Sequence, residues 1–305
     1  MRGSPPSTVG AYFRLAVERL KKAKLHYGHG THNARDEAAY LILHTLGLPL
    51  ESIAPHIDRR LTIAEQKGLD SLLVRRIAMR MPSAYLTHEA WLGDFSFYVD
   101  RRAIIPRSFI SELLRERLRP WLRAPAKRIL DLCTGSGCLA IMAAHAFPKA
   151  LVDAVDVSAS ALAVARRNVD RYRLRPRIRL VRSDLFGALG DARYDLILCN
   201  PPYVTSKSMR ALPREHRHEP RIALAAGPDG LDVVHRILRD AACHLSTRGL
   251  LACEIGHNRR ALERAYPAVS FMWPELSAGP GHVFLIERAQ LEGSPGVPNA
   301  GTRSR

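Results

Sequence analysis

Four consecutive residues, Asn200-Pro201-Pro202-Tyr203, follow an apolar segment that ends at Cys199, and they carry the most specific chemical signal in the sequence. The side-chain oxygen of Asn200 can accept one hydrogen of an NH₂ group, and the backbone carbonyl of Pro201 can accept the other. Proline offers no competing N–H group, and the ring of Tyr203 can pack on a planar amide or base. Such a corner would direct the lone pair of a weakly nucleophilic nitrogen at an electrophilic methyl group. Catalysis would come from positioning and from stabilising positive charge on that nitrogen.

A second candidate site is the glycine loop in ILDLCTGSGCLA, residues 129–140. Gly135 and Gly137 lie between a predicted strand and a predicted helix, where small residues let a ligand approach the backbone and a helix N-terminus offers unpaired amides. Asp131 stands at the strand end, and we expect its carboxylate to accept a hydrogen bond from a positive group such as the amino end of a methionine moiety. The spacing is not the dinucleotide pattern GxGxxG, and no Walker lysine is present. A plain glycine turn would give the same letters.

Acidic residues also follow the next two predicted strands. Asp156 comes about 20 residues after the glycines, where a carboxylate typically accepts hydrogen bonds from ribose hydroxyls. It could equally serve only as the N-cap of the next helix. Asp184 could accept a hydrogen bond from an adenine amino group, while Leu185 or Phe186 covers the face of the ring.

These residues require elements that bring them to one edge of the fold. From Arg128 onwards strand-like and helix-like segments alternate, which predicts a parallel sheet with helices on both faces. The ligand crevice of such a sheet lies at the carboxyl ends of its strands, where all the candidate residues fall. The last two predicted strands have no helix between them, which predicts an antiparallel hairpin at one edge. The predicted strands are 128–133, 151–157, 178–182, 194–199, 250–255, 269–273 and 282–287.

The sequence before the sheet predicts a small helical domain. Apolar spacing is helical from Val9 to about Met81, and Thr62 with Glu65 forms a capping-box pattern. Residues 91–105 are aromatic and β-branched and predict a hairpin, which a helix near 108–118 follows. Residues 1–10, with their Gly, Ser and Pro, are predicted to be disordered. The predicted division is a substrate-recognition domain at 1–90, a hairpin and linker at 91–120, a catalytic domain at 121–290 and a disordered tail at 291–305.

Composition excludes several classes of protein. Of the 305 residues 47% are hydrophobic and 25% charged, which is typical of a folded globular chain and excludes full disorder. No long apolar run or signal-like start is present, so no membrane partner is expected. The five cysteines form no CxxC pair, which predicts reduced thiols in a cytoplasmic protein and no metal site. The net charge of +17, with eight arginines between Arg166 and Arg182, predicts either solvated basic faces or a partner rich in nucleic acid.

From about Arg128 to Arg288 the chain resembles the class I S-adenosylmethionine-dependent methyltransferases that modify planar amino nitrogens, because DLCTGSG, Asp156, Asp184 and NPPY occur in order. The resemblance implies a Rossmann-like sheet of seven strands and S-adenosylmethionine as the cofactor. It leaves three substrates open: adenine or guanine in nucleic acid, and the side-chain amide of glutamine. The implied cofactor-binding residues are Asp131, Cys133, Thr134, Gly135, Ser136, Gly137, Asp156, Asp184, Leu185 and Asn200. The implied catalytic residues are Asn200, Pro201 and Tyr203.

The flanking segments narrow this choice. Residues 97–114 resemble the hairpin-to-helix linker of the protein N(5)-glutamine methyltransferases, including Pro106-Arg107. Residues 26–49 and 212–234 resemble the branch of that family that acts on the third protein of the large ribosomal subunit. Cys133 favours this branch, since the release-factor enzymes of the family usually have glycine there. The implied substrate-binding residues are Asn200, Pro201, Pro202, Tyr203, Arg107 and Glu219.

The resemblance therefore implies N(5)-methylation of a glutamine side chain on that ribosomal protein, with ribosomal RNA as a possible further contact of the basic surface. Glu219 could touch the substrate or Arg107. Release factors, or base amines of nucleic acid, are the alternative substrates. A non-catalytic assembly factor that binds ribosomal RNA is the alternative outside enzymes, but such a protein would need neither NPPY nor the glycine loop.

Overall fold

A six-stranded sheet carries the predicted site in the computed structural model, which describes residues 6–293. The order of its strands is β5-β4-β3-β6-β7-β8. Two earlier strands, β1 (Glu89–Leu92) and β2 (Phe95–Tyr98), form the predicted hairpin as a separate two-stranded sheet. The strands of the large sheet are β3 (Arg128–Leu132), β4 (Leu151–Asp156), β5 (Ile178–Arg182), β6 (Tyr194–Cys199), β7 (Leu245–Glu254) and β8 (Val283–Glu287).

Strand direction fixes where a ligand can bind. The first five strands of the sheet pair in parallel, and β8 is antiparallel to β7. From β3 the chain moves outward through β4 to β5, and it then returns to β6 on the other side of β3. Crevices form at the carboxyl ends of strands where the order reverses in this way. The fold class is the expected α/β architecture, with a helical segment before the sheet.

The seven-stranded expectation is wrong by one strand. The pattern at 269–273 predicts a strand, but within the described residues this segment contributes only an isolated bridge between Met272 and Leu285. Both backbone hydrogen bonds of that bridge are present, at 2.9 and 2.8 Å. Pro274 follows immediately and has no N–H group to extend the ladder.

Helices cover both faces of the sheet. One apolar cluster includes Ile129, Leu139 and Ile141, and a second includes Ile197, Val234 and Ile237. Strands buried on both faces read as nearly continuous apolar runs, which is why the sequence identified them. The helices around the sheet are α5 (Ile110–Arg115), α6 (Cys138–Ala146), α7 (Ala159–Arg171), α8 (Ser206–Ala211), α9 (Asp232–His244), α10 (Arg259–Ala265) and α11 (Arg288–Gly293).

The chain divides into two units. The first runs to Ala90 and also includes Pro213–His218, while the second comprises Trp91–Leu212 and the chain from Glu219 on. The 91–120 segment therefore falls within the second unit. The helices of the first unit are α1 (Val9–Lys22), α2 (Ala34–Thr45), α3 (Ile63–Ala78) and α4 (Ser83–Thr87).

Local signals define the helix starts of the first unit. Thr8 caps α1 and Asn33 caps α2 with their side-chain oxygens. Thr62 and Glu65 form the predicted capping box of α3. Part of the predicted N-terminal disorder is therefore wrong, because Thr8 is already the cap of a helix.

Pro213–His218 is held within the first unit by buried ions. Glu215 lies 3.7 Å from the guanidinium of Arg76 and 3.3 Å from that of Arg80. Arg76 also pairs with Glu37 at 2.5 Å, and all of these groups except Arg80 are almost fully buried. Such a network is stable only when each charge keeps its partner.

The disordered tail was predicted to begin at residue 291, which is too early in the chain. Residues up to Gly293 continue α11, and Leu291 is buried against the second apolar cluster. The remaining tail residues, 294–305, and residues 1–5 lie outside the described part of the chain. Among the described residues, no helix combines the length and the apolar character that crossing a bilayer requires.

Candidate functional site

A cavity of about 360 Å³ lies at the carboxyl ends of four neighbouring parallel strands. The volume is within the range of small-molecule sites. It is lined by residues that follow β3, β4, β5 and β6 and by side chains from the linker, from α9 and from the segment after Glu219. The strand-end residues in its wall are Cys133, Gly135, Asp156, Val157, Ser158, Ser183, Asp184, Leu185, Asn200 and Pro202.

The glycine loop turns sharply after β3. Cys133, Gly135 and Gly137 all have positive φ, of 57°, 56° and 81°. A Cβ at Gly137 would come within 3.2 Å of the Cβ of Ala165 on α7, so glycine permits close packing of the loop on that helix. Cys133 occupies the left-handed region without this freedom, which costs roughly 1–2 kcal/mol.

Asp131 is buried beneath this loop. Its Oδ2 accepts hydrogen bonds from Thr134 Oγ1 at 2.5 Å and from the Ala140 N–H at 3.0 Å. Its Oδ1 has no hydrogen-bond partner among the described residues. Burial, with a smaller contribution from the charge of Asp156, raises the pKa of Asp131 to about 7.

The structure does not place every predicted cofactor residue in the cavity wall. Of the described residues, Asp131, Thr134, Ser136 and Gly137 are absent from the lining, while Cys133 and Gly135 belong to it. Asp131, Thr134 and Ser136 are nearly inaccessible. Asp131 and Thr134 hydrogen-bond to each other within the loop, whereas the Ser136 hydroxyl has no hydrogen-bond partner among the described residues.

Asp156 forms the link between the loop and the next strand. Its Oδ2 accepts the Gly135 N–H at 2.9 Å, and its Oδ1 accepts the Ser158 N–H at 2.8 Å. Burial raises the pKa of this carboxyl above its usual value. The carboxylate both fixes the loop and lines the cavity. The N-cap alternative is wrong, because the N-cap of α7 is Ser158 and not Asp156.

The far end of the cavity is formed after β5. Leu185 lies in the wall with a φ of 49°, and Phe186 stacks instead on His244 with ring centroids 4.5 Å apart. The Asp184 carboxylate pairs with Arg236 at 2.8 Å on the exposed rim. Sequence reasoning missed Arg236, because it comes from a helix 52 positions further along the chain.

The amide of Asn200 has a defined orientation. Its Nδ2 donates a hydrogen bond to the backbone carbonyl of Arg107 at 3.0 Å. The guanidinium of Arg107 pairs with Glu219 through two hydrogen bonds of 2.6 and 2.8 Å, and Glu219 also accepts the Ile105 N–H at 3.1 Å. Of the two predicted contacts of Glu219, the one to Arg107 is present.

Tyr203 is held by groups outside the cavity wall. Its hydroxyl donates to Glu254 Oε1 at 3.0 Å, and its carbonyl accepts from Asn258 Nδ2 at 2.7 Å. A Cβ at Gly256 would come within 2.8 Å of its ring, so the ring lies directly against that glycine. Neither Tyr203 nor Pro201 is among the described residues that line the cavity, whereas Asn200 and Pro202 are.

Glu254 is a site residue that the sequence analysis missed. It accepts hydrogen bonds from Ser108 Oγ at 2.6 Å, from the Phe109 N–H at 3.0 Å and from Tyr203. Burial raises its pKa above the usual value. An acidic residue inside the apolar run LLACEI was the available signal, because an unpaired carboxylate is costly in a core.

These features suit the predicted nucleoside cofactor. The cavity offers backbone groups at Gly135, a carboxylate at Asp156 and apolar surfaces at Val157 and Leu185. A carboxylate can accept hydrogen bonds from two neighbouring hydroxyls, and apolar surfaces suit the two faces of a base. Asn200 lies in the same wall.

Comparison with known proteins finds relatives that match most of the chain. The sequence family described as "Methyltransferase small domain" matches residues 109–214. A ribosomal protein uL3 glutamine methyltransferase of Neisseria meningitidis serogroup A is 54% identical over 289 residues, covering 94% of this chain and 95% of that protein. The protein of the same name from Bordetella pertussis is 51% identical, covering 93% of this chain and 96% of its own length.

A search of solved structures finds more distant similarity. The catalytic domain of hMettl16 in complex with a MAT2A 3′UTR hairpin matches with a TM-score of 0.47 and 16% identity. The match covers 75% of this chain and 83% of that one.

Proposed function

The chain belongs to the family of ribosomal protein uL3 glutamine methyltransferases, and on this basis we propose that its cavity binds S-adenosylmethionine and presents a glutamine side chain of uL3 to it. The product is N(5)-methylglutamine. The observation that carries the site assignment is the fixed amide of Asn200, in the wall of the cavity that Asp156 and Leu185 also line.

Three parts of the cavity hold the cofactor in this proposal. The backbone around Gly135 receives its amino-acid end, the Asp156 carboxylate accepts its ribose hydroxyls, and Leu185 covers its adenine. Asp184 lies on the rim, where its pairing with Arg236 closes the adenine end. When bound, S-adenosylmethionine supplies an electrophilic methyl group attached to a positively charged sulfur.

The acceptor corner acts on the other reactant. Because Asn200 Nδ2 is engaged by the Arg107 carbonyl, its Oδ1 is directed to accept one N–H of the glutamine amide. The Pro201 carbonyl accepts the second N–H. These two acceptors turn the lone pair of the amide nitrogen towards the methyl group. They stabilise the positive charge that develops on nitrogen as the new N–C bond forms and the bond between the methyl carbon and sulfur breaks, which leaves a neutral sulfide.

A strong base is not required for this reaction. The amide proton becomes acidic only as the nitrogen is methylated, so it can leave to solvent after transfer. In the proposal Tyr203, held by Glu254, closes one side of the corner and packs against the planar amide. Arg107 and Glu219 form the adjoining wall.

The names of the relatives favour uL3 over the alternative substrates. The two relatives named above are uL3 enzymes and not enzymes of release factors or base amines, and a non-catalytic assembly factor would not need Asn200 and its neighbouring prolines. We further propose that the first unit selects the substrate, that the enzyme acts in the cytoplasm and that large-subunit RNA contributes to docking.

The test is a methyl-transfer assay on large ribosomal subunits from cells that lack this enzyme. Labelled S-adenosylmethionine is the donor, protein and RNA are separated before counting, and labelled protein is identified by mass spectrometry. Label on one glutamine of uL3 is the expected result. Label in RNA would replace the proposal with base-amine methylation, and label that appears only on release factors would move the chain's substrate to that class.

A further inference from the structure

A second surface lies at the amino-terminal ends of the strands, opposite the carboxyl ends that carry the cavity. We call it the basic edge and define it by the cationic side chains around the amino ends of β3, β4 and β5. Two further cavities, of about 380 and 330 Å³, lie there. Their cationic lining residues are Arg117, Arg119, Arg123, Lys149, Arg128, Arg175, Arg177 and Arg179.

The charge of the basic edge is only partly compensated. Asp153 is the one acidic residue among the described residues that line the two cavities. It accepts two hydrogen bonds from Arg179, at 2.7 and 2.8 Å, and lies 4.0 Å from Arg128. These cations hold the pKa of Asp153 below its usual value despite its burial.

Most of the cations remain accessible. The side chains of Arg175, Arg179 and Arg128 are 71%, 63% and 52% exposed, although Arg175 also contacts Asp170. In the part of the chain that the structure describes, no ion pair involves Arg117, Arg119, Arg123 or Lys149. Their charge is therefore available to a partner.

The backbone that carries these side chains is well fixed. Arg177 donates to the carbonyls of Ala144 at 2.7 Å and Pro148 at 3.0 Å, which ties the turn before β4 to the start of β5. The Leu151 N–H donates to the Lys127 carbonyl at 2.9 Å and joins the start of β3 to the same turn. Leu151 itself is 59% exposed and adds an apolar surface among the cations.

We propose that the basic edge binds the phosphate backbone of large-subunit ribosomal RNA, an inference that rests on the proposed uL3 substrate. Arginine matches phosphate with paired donors, and a set of clustered cations with little acidic compensation is the electrostatic signature of an RNA-binding face. The strands place this face roughly 17–20 Å from the cavity, because each parallel strand of five or six residues rises about 3.3 Å per residue. RNA bound there leaves the cavity open to a glutamine of uL3.

The test compares two double variants. R123Q/K149Q removes two cations of the basic edge that have no described ion-pair partner. R260Q/R264Q removes two exposed cations on α10 and is the charge-matched control. Each protein is titrated with protein-free large-subunit RNA over a series of salt concentrations, and methyl transfer is measured on isolated uL3 and on large-subunit particles.

The slope of log affinity against log salt is negative, and we expect R123Q/K149Q to reduce its magnitude by about 1.5. This corresponds to roughly 30-fold weaker RNA binding at 0.1 M salt than the wild type shows. The control should bind RNA much more tightly than this variant. Transfer to isolated uL3 should be unchanged in both, which also shows that they fold. The KM for large-subunit particles should rise in R123Q/K149Q alone.

Two results would overturn the inference. Equal RNA affinity and salt slope in the two double variants would show that only total charge matters. A loss on particles without a loss on protein-free RNA would assign the basic edge to an acidic ribosomal protein. If the wild type labels no form of uL3, the proposed function fails, while the RNA titration still decides whether the basic edge binds RNA.

Discussion

Replacing Asn200 by alanine and by aspartate tests whether this residue promotes methyl transfer by orienting the substrate amide or only by its negative electrostatic potential. Alanine removes the acceptor for one substrate N–H, a hydrogen bond that strengthens as nitrogen becomes positive. The loss of one such preorganised contact typically lowers kcat by about 10²–10³, or roughly 3–4 kcal/mol. It also removes the 3.0 Å bond to the Arg107 carbonyl, which should lower the free energy of unfolding by only about 1 kcal/mol.

Aspartate keeps an acceptor and adds a negative charge that would favour a positive nitrogen. However, it cannot donate to the Arg107 carbonyl, so two acceptor oxygens would face each other where Asn200 now makes its hydrogen bond. If the Arg107 carbonyl orients the side chain, aspartate should lose activity about as severely as alanine. If Asn200 acts only through its negative potential, aspartate should match or exceed the wild type.

The assay is single-turnover transfer from labelled S-adenosylmethionine to uL3, with cofactor affinity measured separately by equilibrium dialysis. Both Asn200 variants should bind the cofactor within about fivefold of the wild type, since a single hydrogen bond contributes about 1 kcal/mol. Asp156→Ala is the matched control, because it should weaken cofactor binding first. More than a tenth of wild-type activity in Asn200→Asp would refute the orienting role of the Arg107 carbonyl.

Three further predictions concern residues around the loop and the acceptor corner. The pKa of Asp131 is about 7 in the folded protein against 3.8 for an unperturbed aspartate, so the folded state retains a proton that the unfolded chain loses as the pH rises between these values. This carboxyl therefore lowers the free energy of unfolding by a total of about 4 kcal/mol from pH 4 to pH 8, and the difference between Asp131→Asn and the wild type should grow by that amount. Urea denaturation followed by tryptophan fluorescence measures it, since all three tryptophans lie in the second unit; a pH-independent difference would contradict the buried protonated carboxyl. Cys133→Gly should keep methyl transfer and change stability by less than about 1 kcal/mol, because relief of the positive φ offsets lost packing and added chain entropy, whereas loss of transfer in a folded variant would point to a chemical role for the thiol. Glu254→Ala should lower kcat by about 10-fold or more and Glu254→Gln by less, because the amide can still pair with the Tyr203 hydroxyl; equal activity of the alanine variant would remove Glu254 from the positioning of that ring.

Local sequence signals predicted much of the fold. The strands at Ile178–Arg182 and Tyr194–Cys199 have the predicted bounds, because each is rich in Ile, Leu or Val and is followed by polar loop residues. The capping box at Thr62 was also visible, since both of its members lie within four positions. The absence of a seventh strand could not be predicted from the side-chain pattern of residues 269–273. It depends on backbone pairing, which is limited to one bridge at Met272 and cannot continue through Pro274.

The geometry of the candidate site was harder to predict because its contacts join distant positions. Asn200 meets the Arg107 carbonyl across 93 positions, and Tyr203 meets Glu254 across 51. A backbone carbonyl has no sequence signature at all. Asp131 was expected to meet a ligand, yet its nearest donor is Thr134, three residues away in the same loop.

In the proposed mechanism, residues 105–109 of the linker orient the side chains around the glutamine amide. It supports Asn200, Glu219 and Glu254 together, and three of its contacts to them use main-chain groups: the carbonyl of Arg107 and the N–H groups of Ile105 and Phe109. The Ser108 hydroxyl and the Arg107 guanidinium add side-chain contacts. An insertion or deletion in residues 105–109 would displace these main-chain groups, whereas most substitutions there would leave them in place. In the proposed mechanism the length of this segment therefore matters more than most of its side chains.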